Sequence, residues 1–309
     1  MRIYVAGVTG MVGSSIANEA NAQGHEVIGK SSKELDFTNR LAVFDELKET
    51  KPDSLIIAAA KVGGIGANAT LPVDFLSINL QIQTNLLDAA HAAKVERVLF
   101  LGSSCIYPKF ATQPITESSL LTGLLEPTNE PYAIAKIAGV KLVEAYRRQF
   151  QHPWVSAMPT NLYGPRDNFE SSSAHVLPAL INRFHWAKVN GDEIVEIWGD
   201  GSPLREFLHV EDLARACLLL LHDYDDPVAI NIGSGQEISI SSLASLIARL
   251  VGFKGKTIFN PQYPNGTPRK LLDSRRILEL DWQPQISLED GLASTYDWFL
   301  KHPSKELIL

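Results

Sequence analysis

The sequence is poor in cysteine, in clusters of basic residues and in long apolar runs. Only Cys105 and Cys217 occur among its 309 residues, too few for a disulfide framework. Its 28 basic residues are outnumbered by 35 acidic ones, and no Lys/Arg-rich run is present to follow a nucleic-acid backbone. No run of about 18 apolar residues is present to span a membrane, and no basic-then-hydrophobic leader opens the sequence. We therefore expect a cytoplasmic protein that binds neither nucleic acid nor membrane.

Apolar residues are present in short, alternating segments, and they make up 45% of the chain, which is ample for a substantial core. Short apolar runs predict buried strands, and the segments with helical periodicity between them predict helices. Strands that alternate with helices favour an α/β protein with a doubly wound parallel sheet. The strands are predicted at 3–6, 26–29, 54–60, 97–101 and 155–158. The helices are predicted after Gly13 to about Ala22, at 41–48 and at 75–93.

Three glycines lie between the first predicted strand and the first predicted helix. Gly7, Gly10 and Gly13 let the chain turn sharply, approach a pyrophosphate closely and pack the helix on the sheet. The helix N-terminus then offers free N–H groups to the anion. Glycines at this spacing also occur in ordinary turns, but their position between strand and helix favours a dinucleotide site on a Rossmann-type sheet.

The pattern changes after about Tyr163, where the alternation weakens and proline and glycine become frequent. We predict a dinucleotide-binding Rossmann domain over residues 1–163, completed by segments near 206–233. Residues 164–205 and 234–309 are predicted to form a smaller mixed α/β substrate-binding lobe. Ligands of open parallel sheets bind beyond the carboxyl ends of the strands, so we expect the chemistry in those loops.

The stretch after the second predicted strand favours NADP over NAD. NAD sites usually place Asp or Glu there, and such a carboxylate would repel a 2′-phosphate. Here Lys30 and Lys33 flank two serines, and the first acid is Glu34. We therefore expect NADP(H), although an exposed polar turn explains either lysine taken singly.

A tyrosine and a lysine four residues apart, Tyr132 and Lys136, share one face of a predicted helix. A neighbouring ammonium stabilises a phenolate and lowers the pKa of the phenol towards neutrality, where it is useful as an acid or base. The pair alone is common on solvated helix faces. Its catalytic interpretation is strengthened by Ser103, whose hydroxyl follows the strand at 97–101 and can hold a carbonyl oxygen.

These residues together resemble the extended short-chain dehydrogenase/reductase family. The resemblance implies that Tyr132 donates or accepts the proton, that Lys136 lowers its pKa and binds the nicotinamide ribose, and that Ser103 orients the substrate carbonyl. It also implies a set of coenzyme contacts: Gly7, Thr9, Gly10, Met11, Val12, Gly13, Lys30, Ser32, Lys33, Asp36, Leu101, Gly102, Ser103, Ser104, Lys136, Pro159, Thr160, Asn161, Leu162 and His175.

Longer runs across nearly the whole chain resemble the GDP-L-fucose synthase family. They lie at 58–65, 101–109, 126–136, 158–165, 205–210 and 266–273. The resemblance implies a homodimer, without metal, that epimerises GDP-4-keto-6-deoxy-D-mannose at C3 and C5 and reduces it at C4 with NADPH. It places the epimerisation pair on Cys105 and His175, and the contacts to the GDP-sugar on Asn161, Arg183, Trp198, Arg205 and Lys270.

The implied epimerisation pair makes chemical sense. Protons beside a C4 ketone are acidified, and each inversion needs one group to remove a proton and another to return one on the opposite face. A thiol and an imidazole both titrate near neutrality. Taken singly, Cys105 is more often a core thiol and His175 an ordinary loop histidine, but Cys105 lies two residues from Ser103. Cys217, within an apolar run, is expected in the core.

Thr9 and Ser32 stand where better-known family members carry arginines for the 2′-phosphate, which leaves the choice between NADPH and NADH open. Two alternatives also remain: another nucleotide-sugar enzyme, such as a 4-epimerase or 4,6-dehydratase, or an NADP-binding scaffold without turnover. Cys105, with no glutamate beside a serine or threonine in its loop, argues against the dehydratase. Tyr132 and Lys136 are intact, which argues against the scaffold.

Overall fold

The computed structural model describes residues 1–170, 173–263 and 265–303. The strands are β1 (Arg2–Ala6), β2 (Glu26–Ile28), β3 (Ser54–Ile57), β4 (Arg97–Leu101), β5 (Val155–Pro159), β6 (Asn161–Tyr163), β7 (Ile194–Trp198), β8 (Leu204–His209), β9 (Ile230–Ile232), β10 (Glu237–Ser239), β11 (Lys256–Asn260) and β12 (Arg269–Lys270). The helices are α1 (Met11–Ala22), α2 (Arg40–Thr50), α3 (Ile65–Thr70), α4 (Pro72–Ala92), α5 (Glu130–Phe150), α6 (Val176–Asn190), α7 (Val210–Asp223), α8 (Ile240–Val251), α9 (Arg275–Leu278) and α10 (Leu288–Lys301).

Six of the described strands form one parallel sheet in the order β2-β1-β3-β4-β5-β9. The strand order reverses between β1 and β3, because the chain leaves β1 for β2 on one side and then returns to β3 on the other. Such a switch point opens a crevice beyond the carboxyl ends of the strands, where ligands bind. The predicted doubly wound Rossmann-type sheet is therefore confirmed.

Apolar cores cover both faces of this sheet. Along β1, Tyr4 and Ala6 belong to one core, and Ile3 and Val5 to the other, as the alternation of strand side chains dictates. Helices α2, α4 and α5 pack on the first face, and α1 packs against α7 on the second. Because the strands are buried on both sides, they read as continuous apolar runs. Cys217 lies fully buried in the second core, as predicted.

The later strands form smaller sheets. In the described residues β8 lies between β10 and β12 and also pairs with β6, while β7 pairs with β11. Helices α6, α8 and α10 enclose a third apolar core beside these strands. Helix α7 and strand β9 return to the large sheet, whereas residues 206–209 lie in β8. The domain boundaries stay a prediction, and residues 304–309 lie outside the described part of the chain.

Two predicted strands are shorter than expected, because β2 ends at Ile28 and β3 ends well before residue 60. The run at 54–60 predicts a strand throughout, but β3 ends at Ile57. The Ala58 amide still donates to the Ala6 carbonyl at 3.0 Å, after which the chain turns away beside Gly7. Across the described ranges, no helix combines the length and the apolar character needed to cross a membrane.

Candidate functional site

The turn after β1 brings its glycines around the N-terminus of α1. Gly7 has a φ of 89°, a left-handed conformation that favours glycine, and the Gly10 amide donates to the Gly7 carbonyl at 3.0 Å. A Cβ on Gly13 would lie 2.0 Å from the Gly7 oxygen, so only glycine fits there. No side chain of the described residues caps α1, and its first N–H groups have no partner within the helix. The turn therefore fits the pyrophosphate of a dinucleotide.

Most of the other predicted coenzyme residues lie at the same edge of the sheet, because they follow the carboxyl ends of its strands. Thr9 lies in the glycine turn, and Met11 and Val12 open α1. Residues 101–104 close β4, and residues 159–162 run from the end of β5 into β6: Leu101, Gly102, Ser103, Ser104, Pro159, Thr160, Asn161 and Leu162.

The two lysines expected at the 2′-phosphate differ in their surroundings. The Lys30 ammonium forms an ion pair with the buried Glu46 carboxylate of α2. Lys33 and Ser32 are exposed beyond the end of β2, and the Asp36 carboxylate accepts hydrogen bonds within its own turn. Lys33 is therefore better placed than Lys30 to meet an added phosphate, a difference that the sequence did not predict.

The lysine of the predicted catalytic pair is buried under β4. Its Nζ donates to the Leu101 carbonyl at 2.8 Å and lies 5.9 Å from the centroid of the Tyr132 ring. Burial lowers the pKa of Lys136 to about 7. The Ser103 hydroxyl oxygen accepts a hydrogen bond from the Cys105 backbone amide at 3.2 Å.

The Tyr132 phenol departs from the expected ionisation. Its pKa is raised above the ordinary value by burial and then by the neighbouring Cys105, while a hydrogen bond with Ser103 opposes these effects. The sequence predicts a lowering by Lys136, but that ammonium is itself buried and donates to the Leu101 carbonyl. A raised pKa keeps the proton on the phenol, which suits Tyr132 to donate it.

Two donors converge on the Cys105 sulfur, which accepts from Asn129 Nδ2 at 3.3 Å and from Lys270 Nζ at 3.4 Å. Strand pairing brings Lys270 there, since β12 places it opposite Arg205 of β8. Burial raises the pKa of the thiol, but the Lys270 charge, hydrogen bonds from Ser103 and Lys270, and the Arg205 charge outweigh burial and lower it below its ordinary value. The site therefore favours an ionised sulfur.

His175 immediately precedes α6, and it is exposed to solvent although protein atoms surround its ring. Its pKa is lowered, first by burial and then by the positive charge of Lys270. A lowered pKa makes the protonated imidazole a stronger acid. Lys270 acts electrostatically on both Cys105 and His175, which links the two predicted epimerisation residues. No group of three or more His, Cys, Asp or Glu within the described ranges could hold a metal.

The remaining predicted substrate contacts form a second group along the smaller sheets. The Arg183 guanidinium donates to the backbone carbonyl of Glu196 in β7, and burial lowers its pKa. Trp198 ends the same strand, 53% exposed and stacked on Tyr263 with ring centroids 4.4 Å apart. The side-chain amide of Asn161 donates to the backbone carbonyl of Glu206 at 2.7 Å. These side chains offer a cation and an aromatic face to a nucleotide.

The structure adds Glu206, which sequence reasoning missed. Its side chain is fully buried, and its carboxylate accepts from the amides of Gly235 at 2.7 Å and Leu272 at 3.1 Å. Burial raises its pKa, and these two amides oppose that rise. Because Leu272 follows β12, Glu206 helps to hold the strand that carries Lys270. A charged residue inside a strand gave no sequence signal for this role.

Comparisons with known proteins agree with this geometry. Residues 3–233 match the model of the NAD dependent epimerase/dehydratase family. The chain is 57% identical over 304 residues to "GDP-L-fucose synthase 1" of Arabidopsis thaliana, covering 97% of this chain and 94% of the relative. It is 49% identical over 314 residues to the GDP-L-fucose synthase of Escherichia coli (strain K12), covering 98% of each. A solved GDP-L-fucose synthetase of Naegleria fowleri bound to NADP is similar with a TM-score of 0.89 and 27% identity, over 97% of this chain and 94% of that one.

Proposed function

The chain belongs to the NAD dependent epimerase/dehydratase family and, within it, to the GDP-L-fucose synthases, and on that basis we propose how its residues divide the reaction. The protein is an NADP(H)-dependent oxidoreductase with 3,5-epimerase activity, and it converts GDP-4-keto-6-deoxy-D-mannose to GDP-L-fucose. One observation best supports this division. Cys105 lies in the same loop as Ser103, and its sulfur contacts the ammonium of Lys270.

Cys105 and His175 exchange the protons at C3 and C5. In each inversion one member of the pair removes a proton as a base, and the other, in its protonated form, returns a proton to the opposite face of the ring. The lowered pKa of Cys105 makes its thiolate available as the base, and the lowered pKa of His175 makes its protonated imidazole a stronger acid. The negative charge that develops spreads into the C4 carbonyl oxygen. The hydroxyls of Ser103 and Tyr132 hold that oxygen, so that they stabilise the enolate between the two inversions.

Tyr132 completes the reduction, for which bound NADPH supplies the hydride at C4. Because its pKa is raised, the Tyr132 phenol is protonated before the reaction, and it donates this proton to the C4 oxygen as the hydride arrives. Lys136 Nζ, anchored on the Leu101 carbonyl, lies 5.9 Å from the centroid of the Tyr132 ring, at the edge of the sheet where the nicotinamide ribose would lie. The glycine turn fits the pyrophosphate.

The far end of the substrate is held by the second group of residues. Arg183 and Arg205 offer planar guanidinium groups to the diphosphate, and Trp198 offers an exposed ring face to the base. Asn161, held by the Glu206 carbonyl, belongs to the same group. We also propose that the protein acts in the cytoplasm and that it forms a homodimer. Size-exclusion chromatography with light scattering would test the homodimer.

The experiment that tests the function supplies NADPH and GDP-4-keto-6-deoxymannose and follows the absorbance of the reduced nicotinamide. We expect one equivalent of NADPH to be consumed for each GDP-L-fucose formed, with the product identified by chromatography against the authentic sugar. UDP-glucose serves as the control for a 4-epimerase. Conversion of UDP-glucose without net consumption of coenzyme, and no reaction with the keto-sugar, would contradict the function.

The exposed lysine after β2 gives a prediction on coenzyme choice. Replacing Lys30 and Lys33 together with alanine should raise the KM for NADPH about ten-fold or more, as expected for lost charge-assisted contacts, with a smaller effect on NADH. Because Lys30 is paired with Glu46, Lys33→Ala alone should account for most of the change.

Steady-state kinetics with both coenzymes measure this change, and Lys48→Ala is the matched control. Lys48 lies in α2 beside residues 51–53, which precede β3 at the opposite edge of the sheet. Equal effects of the double variant on NADPH and NADH would show that Lys30 and Lys33 form only a charged turn.

A further inference from the structure

We propose that Asn129 is a positioning residue for Cys105. Asn129 keeps the Cys105 sulfur among hydrogen-bond donors and holds it close to the beginning of α5, the helix that carries Tyr132. The inference rests on the proposed role of Cys105 in epimerisation. The side-chain Nδ2 of Asn129 donates to the Cys105 sulfur at 3.3 Å, across 24 residues of chain.

The position of Asn129 in the sequence conceals this role. It immediately precedes α5, where an asparagine normally caps the helix by accepting a hydrogen bond from the first turn. Among the described residues, however, its side chain makes no such capping bond. Its backbone carbonyl accepts from the Ala133 amide at 3.0 Å, so the main chain begins the helix. The side chain is thus committed to the sulfur instead of to the helix.

The polarity of the contacts indicates what Asn129 does for the sulfur. A neutral thiol has a proton to donate, and an amide turned the other way would offer it an oxygen. Here the sulfur accepts hydrogen bonds from Nδ2 of Asn129 and from Nζ of Lys270. Hydrogen bonds from donors stabilise the anionic form of the sulfur. The Asn129 Oδ1 is buried without a partner in the described residues, which costs free energy. The orientation that leaves this oxygen unpaired is the one that serves an ionised sulfur.

The loop that carries Asn129 is clamped to the segment that carries Cys105. The backbone amide of Asn129 donates to the backbone carbonyl of Glu126 at 3.2 Å. The Glu126 carboxylate forms an ion pair with Lys109 at 2.9 Å. Lys109 lies four residues after Cys105, and Asn129 lies three residues before Tyr132. Asn129 therefore fixes the sulfur relative to the phenol. This connection lets one bound ketone meet the residues of both epimerisation and reduction.

The test measures the ionisation of Cys105 in the free protein, as the pH dependence of its alkylation by iodoacetamide, located by mass spectrometry. The other charged or titratable groups that act on the sulfur are Lys270, Arg205 and Tyr132. Asn129→Ala should raise the midpoint pH of alkylation by about one pH unit and slow alkylation at pH 7 about ten-fold. This is the loss expected for a hydrogen bond to a charged group. Asn129→Asp should raise the midpoint further, because a carboxylate then faces the thiolate.

Thr128→Ala is the matched control, since Thr128 lies in the same loop but bonds to Glu126. Its midpoint should equal that of the unmodified protein. Unchanged midpoints in both folded Asn129 variants would overturn the proposal, and so would an equal shift in Thr128→Ala. If Asn129→Ala fails to fold, the equally sized Asn129→Asp decides alone. No sugar takes part in this assay, so a failure of the proposed function would show separately, in NADPH consumption.

Discussion

Tyr132→Phe should fold and bind NADPH, yet reduce the C4 ketone several orders of magnitude more slowly. The substitution removes only the hydroxyl, and general acid catalysis alone contributes roughly 10²–10⁴-fold. The raised pKa of the phenol keeps its proton available for the C4 oxygen at neutral pH. The measurement is kcat from NADPH absorbance, with coenzyme affinity determined separately by fluorescence titration.

Tyr146→Phe is the matched control for that variant. Tyr146 lies on the same helix, α5, but its hydroxyl donates to the Asp88 carboxylate of α4 at 2.6 Å, away from the Ser103 loop. It should lose a structural hydrogen bond, worth about 1 kcal/mol or somewhat more because the acceptor is charged, and keep its kcat. Near-normal reduction by Tyr132→Phe would remove Tyr132 from the proposed chemistry.

Cys105→Ser and His175→Gln should both impair epimerisation, and Cys105→Ser should leave coenzyme binding intact. Serine preserves size and hydrogen bonding, but it replaces a thiol, a group with an ordinary pKa of about 8.5, with a hydroxyl that does not ionise usefully at neutrality. Glutamine removes the titratable ring and keeps a polar side chain. In deuterated water each variant should take up deuterium at C3 and C5 roughly 10²–10⁴-fold more slowly. Reduction of unepimerised ketone should then yield 6-deoxy sugars of the wrong ring stereochemistry.

Cys217→Ala separates a general effect of losing a thiol from the effect at the site. Cys217 is fully buried in α7, and burial raises its pKa, so it stays protonated. This variant should lose some stability, typically less than large core truncations cost, and exchange deuterium at the normal rate. Normal uptake at both carbons in Cys105→Ser and His175→Gln would contradict the proposed pair.

Features that depend on neighbouring residues were predictable from the sequence. The glycine turn is one of them, because strand, turn and helix lie within residues 2–22, Gly7 has a positive φ, and a Cβ on Gly13 would collide with Gly7. The alternation of strands and helices predicted the sheet, since short apolar runs buried on both faces are typical of parallel strands. The end of β3 was placed too late, because the turn at Ala58 is set by packing against Gly7 rather than by apolar character.

Features that depend on distant contacts were not predictable from residue patterns. Lys270 meets the Cys105 sulfur across 165 residues, because β12 pairs with β8. Neither the ion pair of Lys30 with Glu46 nor the full burial of Glu206 leaves a trace in local sequence. The direction of the Tyr132 pKa was mispredicted for the same reason. A lysine four residues away suggests a lower pKa, but tertiary burial of both groups dominates.

The central claim is that one ketone site performs both proton exchange and hydride transfer. It is tested most directly by a single turnover of the unmodified enzyme in deuterated water, with NADPH that carries ordinary hydrogen at the transferred position. Nuclear magnetic resonance of the product should show GDP-L-fucose with deuterium at C3 and C5 and protium at C4. Protium retained at C3 and C5, or deuterium found at C4, would contradict the account.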